Sequence, residues 1–176
     1  MSYVKILRIL ILFFFLSVSN LVNAEQKTVY VDMDLLMNNS LGGKSITQQL
    51  DKINQSNLKK FKNLEDELRA EENEIISQKN VISESEYLKK ISLLKKNVIE
   101  YNQNKKKTIG QLTQKKITAQ ATLINAITPI LADYAKKNDI SMVISKQNII
   151  MGQIELDITD DILKLVNKKI TNIKLK

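Results

Sequence analysis

Between residues 44 and 82, apolar side chains recur at Ile46, Leu50, Ile53, Phe61, Leu64, Leu68, Ile75 and Ile82. Phe61, Leu68, Ile75 and Ile82 are seven residues apart, whereas Ile53, Leu64 and Ile75 are eleven apart. A seam mixing these periods is a coiled-coil face with a stutter, not the broad stripe of a globular helix. Neither Gly nor Pro interrupts the stretch, and most of its residues are good helix formers. Ser83-x-x-Glu86 has the form of a capping box and opens a second helix, reaching about Lys137. Its seam reads Leu88, Ile91, Val98, Ile109, Leu112, Ala119, Leu123 and Ile130, and the same register places Asn102, Lys105 and Lys116 there too. The middle of this seam is therefore weak. Gly110 weakens it further, by about 1 kcal/mol relative to Ala, and Pro129 predicts a kink near the end. At 1.5 Å per residue the helices would be roughly 60 and 80 Å long. A short turn near residues 83–85 folds them into an antiparallel hairpin, residues 44–138, that projects as an arm.

The flanks follow another pattern. Thr28-Val29-Tyr30-Val31 reads as a strand, and Asn38-Asn39-Ser40 with Gly42-Gly43 reads as a break before the arm. Beyond Asn138, Met142-Val143-Ile144 and Ile149-Ile150-Met151 predict a β-hairpin. Thr159 is a candidate N-cap for a short helix with Asp160 and Asp161 in its first turn and Ile162, Leu163 and Val166 on one face. Residues 25–43 and 139–176 thus form two parts of one small β body. A few short strands and one helix bury too little to be self-sufficient, so the sheet is expected to complete itself by oligomerisation. The predicted fold class is mainly α with a small β body. Val29, Val31, Met142, Ile144, Ile149 and Met151 are the expected body and subunit-contact residues.

Lys5 and Arg8 precede an apolar run from Ile9 to Leu16 and a more polar exit ending Val22-Asn23-Ala24. This is the form of a secretory signal peptide, residues 1–24, with cleavage expected after Ala24. The apolar run falls short of the roughly 20 residues needed to span a bilayer. The chain contains no Cys and no His. That removes disulfides, thiolate and imidazole metal sites, and Cys-His or Ser-His catalytic pairs. The acidic residues lie in helical charge runs, so the expectation is a protein that is not an enzyme and needs no metal or cofactor. Net charge is +8, unevenly placed. From Glu84 to Asn138, eleven lysines face only Glu84, Glu86, Glu100 and Asp133. One arm helix carries the positive field, which attracts anionic partners.

These features together resemble the Skp/OmpH-like periplasmic chaperones of Gram-negative bacteria. Val29-Tyr30-Val31-Asp32-Met33-Asp34, followed by Asn39-Ser40 and Gly42-Gly43-Lys44, is similar to that family's opening. Leu156-Asp157-Ile158-Thr159-Asp160-Asp161-Ile162-Leu163 is similar to its closing signature. The resemblance spans essentially the whole chain after the leader. It implies a periplasmic homotrimer whose arms surround a cavity and hold unfolded outer-membrane proteins without ATP. The stretch Lys168 to Lys176, with four lysines, extends past the family's usual stop. The family's lipopolysaccharide site is a scattered basic cluster with no residue-by-residue match here, so no such site is carried over.

Unfolded β-barrel clients expose alternating apolar residues and unpaired strand edges. Candidate client contacts are apolar residues at the seam edge (Leu58, Phe61, Ile76, Leu93, Val98, Tyr101) and the lysines Lys89, Lys90, Lys95, Lys96, Lys105, Lys106 and Lys107, which also suit lipid head groups. Gly110 is the candidate flex point. Phe61, Val98 and Tyr101 suit packing inside the hairpin better than client contact, and the lysines equally suit a solvated helix face. Asp32 and Asp157 read as backbone caps. Two other readings stay open: a basic coiled coil that binds a polyanion, or an envelope adaptor anchored by an uncleaved leader. Export and the lack of aromatics among the lysines argue against nucleic acid.

Overall fold

The computed structural model describes residues 27–175, so the leader and its cleavage site lie outside the described residues. Strand β1, Lys27–Val31, lies parallel to β2, Ile140–Ser145, with Val29 opposite Val143 and Tyr30 opposite Ile144. Parallel strands need a long crossover, and here the crossover is the entire arm. It comprises α1 (Met33–Asn39), α2 (Leu41–Gln78) and α3 (Glu84–Lys137). Helix α4, Thr159–Lys169, closes the body. At 1.5 Å per residue, α2 and α3 extend about 57 and 81 Å. Among the described residues no helix is long and apolar enough to cross a membrane.

The starts of α1, α2 and α3 are each set by a side-chain cap. The Asp32 carboxylate accepts the Leu35 N–H at 2.9 Å and starts α1. Ser40 does two jobs at once: its N–H reaches Leu36 O at 3.2 Å, ending α1, while its Oγ accepts the Gly43 N–H at 3.1 Å, starting α2. Gly42 and Gly43 are therefore not a loop but the buried first turn of α2. A Cβ on Gly43 would lie 1.8 Å from Met37 O, so this fold of one helix onto the next requires glycine. At the arm tip the capping box read from the sequence is present: Ser83 Oγ accepts the Glu86 N–H, and the Glu86 carboxylate accepts the Ser83 N–H. The turn occupies residues 79–82, just before that cap.

The core sits at the arm root. Val29, Val31, Leu36, Ile46, Ala119, Leu123, Ile127, Ile130, Ile158, Ile162 and Val166 form one buried cluster shared by strand, arm and closing helix. α3 runs unbroken through Pro129, with Ile127 and Ile130 buried on either side of it.

Two local expectations fail. Thr159 does not cap α4; its N–H is accepted by the Asp157 carboxylate at 3.0 Å. The Thr159 hydroxyl instead accepts the Asp32 N–H at 2.9 Å, tying the end of β1 to the start of α4. Partial burial pushes the Asp157 carboxyl up, but hydrogen bonds from Thr159 and Lys146 outweigh burial and hold it below its usual range. The second correction concerns the predicted hairpin. β2 is followed by a 3-10 turn, Lys146–Asn148, and Ile149-Ile150-Met151 is not a strand. β1 pairs with β2 on one side and bridges to Asp157 at Tyr30, so its edge is occupied there. Among the described residues β2 pairs with β1 alone, but the 3-10 turn carries the apolar run away from its open edge, and Ile150 and Met151 stand in solvent.

Candidate functional site

The arm is closed by a thin and uneven seam. On α2 the buried apolar residues are Ile46, Phe61 and Ile75; on α3 they are Leu94, Ala119, Leu123, Ile127 and Ile130. Between Leu94 and Ala119 no described residue of α3 is buried, a stretch of about 37 Å. Polar side chains fill part of the interface. Lys90 donates to Gln78 Oε1 at 2.6 Å and Asn97 Nδ2 to Glu71 Oε2 at 3.4 Å, both across the hairpin.

Within this weak stretch Phe61 and Tyr101 meet edge to face, centroids 5.9 Å apart at 81°. Such pairs add to simple area burial. Lys105 Nζ lies 5.4 Å from the Tyr101 ring centroid and donates to its hydroxyl at 3.3 Å. Around this pair the helices leave an open groove of about 590 Å³, walled by Leu58, Phe61, Tyr101, Ile109 and Leu112. Its rim is charged. There the Arg69 guanidinium, 2.9 Å from Glu65, holds that carboxyl below its ordinary range through a hydrogen bond. Smaller gaps continue along the arm: about 270 Å³ beside Leu64, Leu68 and Tyr101, and about 330 Å³ beside Leu50, Asn54 and Leu112.

The proposed contacts are placed unequally. Leu58, Ile76 and Leu93 are more than half exposed and Val98 is exposed. Phe61 is buried and Tyr101 half-buried against it, so both hold the hairpin together while showing one side to the groove. Lys89, Lys95, Lys96, Lys105, Lys106 and Lys107 are exposed, whereas Lys90 is half-buried on Gln78. Leu88, Val98 and Ile109, expected on the seam, face solvent, as do Asn102, Lys105 and Lys116. The inward positions include Ile91, Leu94, Asn97, Tyr101, Thr108, Leu112, Lys115 and Ala119. Leu94, Tyr101 and Thr108 are spaced by seven, a signal available in the sequence had the polar intrusions been taken as evidence of a wrong register. Exposed Val81, Ile99 and Ile117 complete the apolar surface.

Gly110 lies in the unburied stretch, and a Cβ there would meet nothing within 4 Å. Packing therefore does not demand glycine. Gly110→Ala is expected to stabilise the helix by about 1 kcal/mol and to slow amide exchange through residues 105–115, measured by mass spectrometry. Unchanged exchange would remove Gly110 as a source of softness.

In the body, Val29 and Val31 are buried within the single chain, while Ile144 and Ile149 are half-buried. Met142 and Met151 are exposed, and with Ile150 and Ile154 they give the body an uncovered apolar surface. Among the described residues no group of acidic side chains could hold a metal ion.

A small parallel sheet with one closing helix and a long, weakly sealed coiled-coil crossover defines a class of proteins with a helical arm on a small α/β body. The chain belongs to the family described as outer membrane protein (OmpH-like), which matches residues 27–166. The fold is that of a crystal structure of a candidate outer membrane chaperone, OmpH-like, from Caulobacter crescentus CB15. Its TM-score is 0.81 at 13% identity, covering 85% of this chain and 88% of that one. No curated protein sequence matches the chain significantly.

Proposed function

We propose that this chain is an ATP-independent periplasmic holdase that binds unfolded outer-membrane β-barrel proteins between the arms of a homotrimer. The observation that carries this reading is the unburied stretch from Leu94 to Ala119, which opens the apolar groove beside Leu58 and Ile109 on the lysine-rich helix. A protein without a nucleotide site retains an unfolded guest by many weak contacts. Partly exposed aliphatic and aromatic side chains supply such contacts without requiring a defined client sequence. The lysines add long-range attraction for anionic clients, and for lipopolysaccharide or anionic lipid surfaces. Family membership and the named role of the Caulobacter protein support the same reading. Export after cleavage at Ala24 gives a mature chain beginning at Glu25.

The test is light scattering of porin diluted from urea, without nucleotide. A modest excess of the mature protein is expected to suppress aggregation. Leu58→Ser with Ile109→Ser, both at exposed positions, is expected to weaken suppression several-fold while leaving the helical circular dichroism unchanged. Failure of the unaltered protein with several porins would overturn the reading.

A further inference from the structure

Residues 170–175 follow α4 and lie beyond the segment that matches the family. They return across the arm root and make bonds that no loop merely passing over a surface would need. The Gln49 side-chain amide uses both ends: Nε2 donates to Ile173 O at 2.7 Å, and Oε1 accepts the Leu175 N–H at 3.3 Å. One helical side chain thus holds the segment's backbone much as a neighbouring strand would. One turn below, the Ser45 hydroxyl donates to Asn172 Oδ1. At the helix start the Leu41 N–H donates to Asn167 Oδ1 at 2.7 Å, satisfying one of the four amides that a helix N-terminus leaves open. Apolar contacts run alongside. Ile173 is buried in the core, with Ile170 and Leu175 packed against it. Where Gly42 lacks a side chain, a Cβ would meet Ile170 Cγ2 at 3.0 Å and Ile173 Cγ1 at 3.6 Å.

We propose that the segment from Ile170 to Leu175 is a clasp that locks the first turns of α2 to the body. It fixes the direction in which the arm leaves, and bending is displaced outward to the weakly packed stretch between Leu94 and Ala119. The geometry makes the division plain: Ser45 and Gln49 are bonded by residues that follow α4 and Leu41 by Asn167 near its end, whereas the arm beyond Leu50 is held by its partner helix alone along a broken seam. The clasp acts on the arm's direction whatever the arm binds, so its test is separate from that of holdase activity.

The chain has no Cys, so Lys59→Cys and Lys164→Cys, both at exposed positions, give one spin-label pair between arm and body. Labelled chain is diluted into an excess of unlabelled chain so that distances within one chain dominate. Electron resonance is expected to give a narrow distance distribution for the full mature chain. It should broaden when the chain is cut after Lys169, and again, to a lesser degree, with Gln49→Ala. Amide exchange across residues 44–53 should rise by about tenfold in both, with exchange around the arm-tip turn unchanged. If the truncated chain fails to fold, Gln49→Ala, which keeps the apolar contacts, decides alone. A distribution and exchange profile equal to the unaltered chain's in the variant that folds would overturn the clasp.

Discussion

Gly43→Ala is expected to destabilise the protein by at least about 3 kcal/mol, enough to unfold much of it, since whole domains are stable by only about 5–15 kcal/mol. The reason is local and steric. The added Cβ would sit 1.8 Å from Met37 O and 2.8 Å from Met37 C, both backbone atoms that cannot rotate aside. Relief requires moving α1 away from α2. That would break the Ser40 bonds that end one helix and start the next, and would withdraw the fully buried Leu36 from the core. Gly42→Ala is the matched comparison. Its Cβ would meet only side-chain atoms, of Ile170, Leu123 and Ile173 at 3.0, 3.1 and 3.6 Å, so a cost of about 1 kcal/mol is expected. Urea titration followed by circular dichroism measures both. A Gly43→Ala protein as stable as the unaltered one would refute the tight junction.

Paired replacement of Ile150 and Met151 by Asp is expected to abolish assembly while leaving the folded chain intact. Both side chains are exposed in the single chain, as are those of Ile154 and Met142 in the same body. Charges there disturb no packing within the protomer. Yet two parallel strands do not normally stand alone with apolar flanks in water, and an association that covers these side chains would gain about 1.5–3 kcal/mol for each. Removing two per chain should weaken association by at least about a hundredfold, and porin protection should vanish with it. Sedimentation equilibrium at micromolar concentration reads the first effect, and circular dichroism checks that the helices persist. Unchanged assembly would place the subunit contact elsewhere.

Sequence and structure agree where a pattern is long and local. Thirty-eight and fifty-four residues of helix separated by a Ser83–Glu86 box leave little choice but an antiparallel hairpin. They diverge where meaning depends on a partner distant in sequence. Gly42-Gly43 has the composition of a breaker, and only the position of Met37 O reveals that the pair allows one helix to start against the end of another. Ile149-Ile150-Met151 has strand propensity, but the 3-10 turn at Lys146–Asn148 carries it away from the open edge of β2. Thr159 looks like a cap, but its hydroxyl accepts the Asp32 amide instead. On α3 the first apolar register runs into Asn102, Lys105 and Lys116. The register through Leu94, Tyr101 and Thr108 avoids those three residues, although its next heptad position is the half-buried Lys115. The groove beside Leu58 and Ile109 was not legible, because a void between helices is a property of two registers together.

Holdase action requires arms that assemble around a guest. Native mass spectrometry of the mature chain mixed with urea-diluted porin, without nucleotide, tests this directly. The expected species is three chains with one porin polypeptide. A stable monomer carrying no porin, or a trimer beside porin that has aggregated freely, would contradict it.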